Sequence, residues 1–286
     1  MPHSRWTEGA LLPRQVRIGD DAFEYLDVGA GRPLLFLHGG LGDWRSWLPH
    51  CAALSGQARC LSYTQRYFGA SQWRADGPPF GVSTHADDLI SVIEAVAPEG
   101  VALVAWSYAG HVALDAARRR PNLLERVLIY EPGVPTYVTA ADELAAFTED
   151  AQAMFAPVFD AVDRNDNDTA VRRLIDASGG PGAFERQAPD RRAVQLENAH
   201  TMPLLLKQAD PPAITCADLA ALQPRVSIAW GELTRPVFKI PSTAAARCVA
   251  GGTHTEVPGV GHLWPEAEPL AFSEFVARWL ALNPGG

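Results

Sequence analysis

The chain has 286 residues, of which 47% are hydrophobic and 20% charged, with a formal net charge of −9 and a pI near 5.4. That length suits one large α/β domain or a core domain carrying an insertion, and the composition is that of an ordinary soluble protein rather than a disordered one. The acidic balance argues against a broad surface for nucleic acid or anionic lipid.

The opening stretch MPHSRWTEGALLPRQ has no apolar core of signal-peptide length, and no segment approaches a membrane span. A cytoplasmic protein is expected, with neither nucleic acid nor membrane among its partners. FEYLDVGAGRPLLFLHGG reads as two strands, Phe23 to Val28 and Pro33 to Leu37, joined as a hairpin by Gly29-Ala30-Gly31. That Gly-x-Gly is no dinucleotide loop, since no helix follows it and the full spacing is missing. After His38-Gly39-Gly40, an amphipathic stretch from Trp44 to Leu54 predicts a helix, and Arg59 to Tyr63 a strand, followed by the loop TQRYFGASQW. STHADDLISVIEAVAP has helical periodicity, with Ser83 or Thr84 as its cap and acids in its first turn.

Residues 101–105 and 126–130 (RVLIY) are short strands, apolar but for Arg126, with a helix between them, the pattern of a parallel sheet covered on both faces. Arg118-Arg119-Arg120 closes that helix, where cations suit its dipole, and neither this cluster nor Arg191-Arg192 makes a polyanion site. From residue 136 to 223 the chain reads as helices only, broken at DRNDND and GGPG. Strands return at 226–230 and 253–257, and a helix from Pro265 to Leu282 ends the pattern. The expected organisation is an α/β core of residues 1–135 and 224–286 with a helical insertion over 136–223. The four cysteines, Cys51, Cys60, Cys216 and Cys248, show no Cys-x-x-Cys spacing and are expected as reduced thiols rather than disulfides or a zinc site.

The stretch VALVAWSYAGHVALDAARRR sets one hydroxyl, Ser107, on the hinge between a buried strand and a helix. Ala105 and Ala109, two residues to either side, are small, as a sharp strand-turn-helix elbow requires. The carboxyl end of a parallel strand is also where open α/β sheets build their sites. A serine hydroxyl needs a base near neutral pH. EVPGVGHLWPEAEPLAF supplies His262 in a glycine-rich loop after the last strand, whereas His38 heads the glycine loop and His85, His111 and His200 fall in predicted helices. No histidine pair has metal-ligand spacing, and neither a metal nor another cofactor is expected. In FLHGGLGDW, glycines after a strand let backbone amides turn toward a pocket, so the N–H of Gly40 (or Leu41) and that of Tyr108 are candidate donors to an oxyanion.

HGGLGDW, WSYAG and PGVGHLWPE, in this order and each in its strand context, make the chain resemble the α/β-hydrolase superfamily over essentially its whole length. The resemblance implies an α/β fold with an eight-stranded, mostly parallel sheet, helices on both faces and a helical cap after the sixth strand. It also implies a Ser-acid-His triad with Ser107 as nucleophile and His262 as base. Most members carry the acid three residues after a glycine that follows the seventh strand; here that position is Thr234, and Glu232 lies two positions early. RVLIYEPG offers Glu131 at the end of the sixth strand, where a lone charge would be costly to bury unless paired. Zearalenone lactonases are similar in this respect, and Glu131 is assigned as the acid over Glu232.

A serine with an oxyanion hole suits acyl transfer and argues against the aspartate chemistry of epoxide hydrolases and haloalkane dehalogenases. The expected function is hydrolysis of a small-molecule carboxylic ester or lactone. Hydrolytic C–C cleavage, perhydrolase or haloperoxidase chemistry, or an inactive binding module are the alternatives. Trp106 and Leu41 are expected to line the substrate pocket, with Tyr108 and RYFGASQW nearby favouring an apolar or aromatic acyl group, although packing alone accounts for such aromatics equally well. LENAHTMPLLL is expected to cover the pocket from above. Nothing in the sequence excludes a homo-oligomer.

Overall fold

The computed structural model describes residues 12–71, 73–74, 76–208 and 211–281. Residues 1–11, which hold most of the stretch read against a leader, and Leu282, expected to end the last helix, lie outside the described residues.

Eight strands form one sheet: β1 (Arg14–Ile18), β2 (Asp21–Val28), β3 (Pro33–Leu37), β4 (Arg59–Tyr63), β5 (Val101–Trp106), β6 (Leu124–Tyr130), β7 (Arg225–Gly231) and β8 (Thr253–Val257). Their order is β1-β2-β4-β3-β5-β6-β7-β8. The β1–β2 and β2–β4 pairs are antiparallel and every other pair is parallel. The expected eight-stranded, mostly parallel sheet is therefore present. The expected hairpin is not: β4 lies between β2 and β3. Gly29, at φ +83°, runs so close to the segment leading into β4 that a Cβ there would sit 2.4 Å from the Ala58 carbonyl oxygen. The chain thus crosses the end of β4 instead of folding back on β2, and the hairpin of this region is β1–β2, turning at Gly19-Asp20.

Strand side chains alternate between two cores, as the pleat requires. Leu35, Leu37, Leu103, Ala105, Val127 and Ile129 face α2 (Val82–Val96), α3 (Tyr108–Arg119) and α10 (Pro236–Cys248). Leu34, Phe36, Val104, Trp106, Leu128 and Tyr130 face α1 (Leu48–Leu54) and α12 (Pro269–Ala281). Helix α2 starts behind Gly81; Ser83 and Thr84 lie inside it rather than capping it, and its first turn holds no acid. The expected last helix is split into α11 (Trp264–Ala267) and α12, because Pro269 cannot continue a helical ladder and opens the second helix instead. Arg118 and Arg119 do occupy the last turn of α3, and each arginine of both basic clusters is paired with a nearby carboxylate.

Between β6 and β7 the described residues form no strand. They form α4 (Ala141–Asp163), α5 (Asn167–Gly179), α6 (Ala183–Arg186), α7 (Pro189–Glu197), α8 (Met202–Leu206) and α9 (Cys216–Ala220). The end of this segment returns against α10, and Cys216 and Cys248 are joined there by a disulfide, with their Cα atoms 5.1 Å apart. This corrects the expectation of four thiols, since spacing along the chain carried no sign that α9 packs on α10. Cys51 and Cys60 are buried and free. Among the described residues no helix is long and apolar enough to cross a membrane.

Candidate active site

Ser107 follows β5 directly, at φ +58° and ψ −125°, a region that costs a non-glycine residue about 1–3 kcal/mol. The surroundings enforce it. The Ser107 N–H donates to Tyr130 O at 3.0 Å, while Ala105 and Ala109 are fully buried beside the bend. Gly110 lets α3 pack close to the next strand end: a Cβ there would meet Ile129 Cγ2 at 2.7 Å and Pro132 Cβ at 3.2 Å. The Ser107 hydroxyl makes no hydrogen bond among the described residues, the imidazole of His262 included.

Glu131 ends β6 in the same way, also at positive φ (+52°), and is fully buried. Its carboxylate receives three donors. Oε1 accepts from Gly231 N at 2.7 Å, and Oε2 accepts from Thr234 Oγ1 at 2.9 Å and His262 Nδ1 at 2.6 Å. A buried carboxylate needs such compensation, and this one has it. Glu232 goes elsewhere: its carboxylate accepts from Gly259 N at the exposed rim. Thr234, at the position where the resemblance implies an acid, donates instead to the Glu131 carboxylate.

His262 is buried and clamped on several sides. Trp106 Nε1 donates to its carbonyl oxygen at 3.1 Å, and Tyr130 Oη donates to that of Gly261 at 2.8 Å. Gly231 leaves no space behind this loop, since a Cβ there would lie 2.2 Å from Val260 O. The Phe238 ring lies flat on the imidazole, with centroids 3.5 Å apart and planes 2° from parallel. With Nδ1–H donated to Glu131, Nε2 is the free acceptor of the ring, a tautomer assigned from the bonding partners.

The glycine loop after β3 is ordered by His38, which burial holds at a pKa of about 4 and so neutral. Its Nδ1–H donates to Gly39 O at 2.8 Å and its Nε2 accepts from Gln65 N at 3.0 Å. Because the peptide is planar and trans, a Gly39 carbonyl pulled toward the ring turns the Gly40 N–H the opposite way. That N–H has no acceptor among the described residues. Gly39 is pressed against the elbow, where a Cβ would lie 3.2 Å from Ser107 Cβ. Leu41 follows at φ +62°. His85 and His111, read as helix residues, are buried in α2 and α3 and held neutral near pKa 3 by burial. His85 sits beneath the elbow, with Nδ1 2.6 Å from Tyr108 Oη. His200 lies in a short turn just before α8.

Ser107 and His262 open on one cavity of about 380 Å³, with Gly40, Leu41, Trp106 and Tyr108 in its wall. The rest of the wall is mostly aliphatic and aromatic: Phe147, Met154, Phe155 and Phe159 of α4, Leu174 and Ile175 of α5, and Leu205 and Leu206 from the stretch expected to cover it. Among the described residues no Lys, Arg, Asp or Glu lines it. Ser107, His262, Gly40, Leu41, Trp106 and Tyr108 thus gather here, with Glu131 directly behind His262, whereas no described residue of RYFGASQW lines the cavity. Phe238, Thr234 and Asp150, which matter to the geometry, carry no local sequence signal. Among the described residues no group of three His, Cys, Asp or Glu side chains is arranged to hold a metal ion.

Comparison with known proteins bears on the fold and the family. The chain is 30% identical over 165 residues to Protein PHYLLO, chloroplastic, of Arabidopsis thaliana, a match covering 52% of this chain and 10% of that one. It is 28% identical over 158 residues to 2-hydroxy-6-oxo-2,4-heptadienoate hydrolase of Pseudomonas putida, covering 48% of this chain and 57% of the relative. The matches therefore span from a tenth to just over half of these relatives' own length. Carboxylesterase CesB of Bacillus subtilis shares the fold at a TM-score of 0.73 and 19% identity, over 96% of this chain and 92% of that one. A family model described as "Alpha/beta hydrolase family" matches residues 34–275. The chain belongs to the alpha/beta hydrolase family.

Proposed function

We propose that this protein is a serine hydrolase that cleaves a small, uncharged carboxylic ester or lactone through an acyl-enzyme on Ser107. The observation that carries the reading is the 2.6 Å bond from His262 Nδ1 to the buried Glu131 carboxylate, behind a cavity that Ser107 and His262 share. A carboxylate on Nδ1 fixes the tautomer whose Nε2 can accept a proton, and it stabilises the imidazolium once formed.

In the proposed sequence, Ser107 Oγ attacks the substrate carbonyl as its proton passes to His262 Nε2. The tetrahedral oxyanion is received by the N–H groups of Gly40 (or Leu41) and Tyr108, which need no reorganisation because the loop and the elbow are already set. Imidazolium then gives its proton to the departing alkoxide, leaving an ester on Ser107. Water, deprotonated by the same nitrogen, releases the acid and restores the serine. The Ser107–His262 hydrogen bond closes in the substrate complex, as such bonds commonly tighten there. Residues 136–223 serve as the cap, and their α4, α5 and α8 side chains define the acyl pocket. A wall of phenylalanine, leucine and methionine, with no fixed charge among its described residues, suits a neutral, apolar acyl group.

The Pseudomonas putida relative favours a second reading, hydrolytic C–C cleavage by the same machinery. Against it, a dienoate carries a carboxylate, and among the described residues no Lys or Arg lines this cavity to receive one. The test is a panel of nitrophenyl esters, aryl lactones and a vinylogous 6-oxo-dienoate. Ester or lactone turnover at least a hundredfold above dienoate turnover is expected; the reverse order would replace the first reading with the second.

A further inference from the structure

We propose that the helical segment sets the pose of His262 through Asp150, which anchors the start of α10 and so holds the Phe238 ring against the imidazole. This rests on the reading of His262 as the base. Helix α10 opens on Arg235-Pro236 with no side-chain cap of its own. Its first free N–H, that of Val237, donates instead to Asp150 Oδ2 of α4 at 2.8 Å. The same carboxylate takes a forked pair from Arg235, Nε at 2.9 Å and Nη2 at 2.7 Å, while Arg235 Nη1 reaches Ala177 O of α5 at 2.9 Å. A negative group at a helix N-terminus satisfies both the unpaired amide and the dipole. Asp150 is therefore a cap supplied from a different part of the chain.

Phe238, the residue after Val237, is the one that covers the imidazole face. Glu131 fixes only Nδ1, which leaves the ring free to tilt about that bond. Phe238 on one face and Trp106, 5.5 Å away on another side, remove that freedom. An aromatic face also favours the charged imidazolium formed during transfer. The contact depends on where α10 begins, and Asp150 decides that. Met154, Val237 and Phe238 pack as one small core with Phe147 and Phe155, so α4 and the start of α10 move together.

Glu143 and Arg247 give an internal control: they also join α4 to α10, at 2.6 Å, but at the end of α10 remote from Phe238. The test compares Asp150→Asn, Phe238→Leu, their double variant and Glu143→Gln, each verified as folded by circular dichroism. The readouts are the rate of inactivation by a small sulfonyl fluoride, which barely uses the acyl pocket, and the low-field proton resonance of His262 Nδ1–H. Asp150→Asn and Phe238→Leu should each slow inactivation about tenfold and move or broaden that resonance, with the double variant no worse than the poorer single one. Glu143→Gln should behave as wild type. Additive losses, or an equal loss in Glu143→Gln, would overturn the coupling in favour of general docking of the segment. Should Asp150→Asn fail to fold, wild-type behaviour of Phe238→Leu would do the same. If Ser107→Ala abolished turnover while Asp150→Asn stayed normal, only this proposal would fail; if Ser107→Ala retained turnover, the hydrolase reading would fail first.

Discussion

Replacing Glu131 by Gln is the substitution whose outcome follows most closely from the geometry. Gly231 N–H, Thr234 O–H and His262 Nδ1–H all donate to the carboxylate. A glutamine offers one acceptor and one donor, so one oxygen position must become an NH₂. If the NH₂ faces Gly231, two donors meet in a fully buried place, at a cost of about 1–3 kcal/mol in stability. If it faces His262, Nδ1 must become the acceptor and Nε2 then carries the proton, which leaves Ser107 without a base. Either way the imidazolium loses its counter-charge. Loss of the right tautomer in a comparable triad costs about 10⁴ in kcat, equivalent to roughly 5 kcal/mol of barrier. We expect Glu131→Gln to lower kcat on a nitrophenyl ester by about 10³- to 10⁴-fold with KM within a few-fold. Glu232→Gln, whose carboxylate serves a rim amide, should stay within about tenfold. Near-normal turnover in Glu131→Gln, with collapse in Glu232→Gln, would refute the assignment of the acid.

Burial holds His38 at a pKa of about 4 and His50, His85 and His111 at about 3. The unfolded chain binds these protons near pH 6.5 and the folded one does not, so stability is full above that pH and declines as pH falls toward the folded values. At pH 5 each group removes about 2 kcal/mol, enough in sum to approach a typical domain's whole stability; circular dichroism should register acid unfolding near pH 5 to 4, and a melting temperature unchanged from pH 7 to 5 would contradict this. Gly39→Ala brings a Cβ to 3.1 Å from Trp106 O and 3.2 Å from Ser107 Cβ. It should cut kcat roughly ten- to hundredfold while barely moving Tm, and wild-type kinetics would show that the loop and elbow are not in register. The Cys216–Cys248 bridge closes a sequence separation of 32 residues, worth about 3–4 kcal/mol by chain entropy. Reduction should lower Tm by roughly 5–10 °C, measured by calorimetry with and without a phosphine reductant; an identical Tm would mean the bridge constrains nothing in the unfolded chain.

What could be read in advance divides along a physical line. Ser107, His262 and the glycine loop announce themselves because each is fixed by its own neighbours: small residues around a bend, glycines after a strand. Glu131 was legible because a charge at the end of an apolar strand demands a partner. The false hairpin shows the opposite case, since two adjacent strands and a tight turn look the same whether or not a later strand, β4, is inserted between them. The disulfide, the Asp150 cap of α10 and the Phe238 contact all join residues distant in the chain, and no local pattern encodes them. Thr234 is the instructive middle. Its position can be picked out in the sequence, and a hydroxyl there cannot supply charge; its capacity to donate to another residue's carboxylate depends on a distance of 2.9 Å that only the fold creates.

The most direct measurement is intact and peptide mass spectrometry after treatment with a fluorophosphonate, on wild type, Ser107→Ala and Glu131→Gln. The account predicts one adduct, on the peptide containing Ser107, absent in Ser107→Ala and formed far more slowly in Glu131→Gln. An adduct on another residue, or ester turnover that persists in Ser107→Ala, would contradict it.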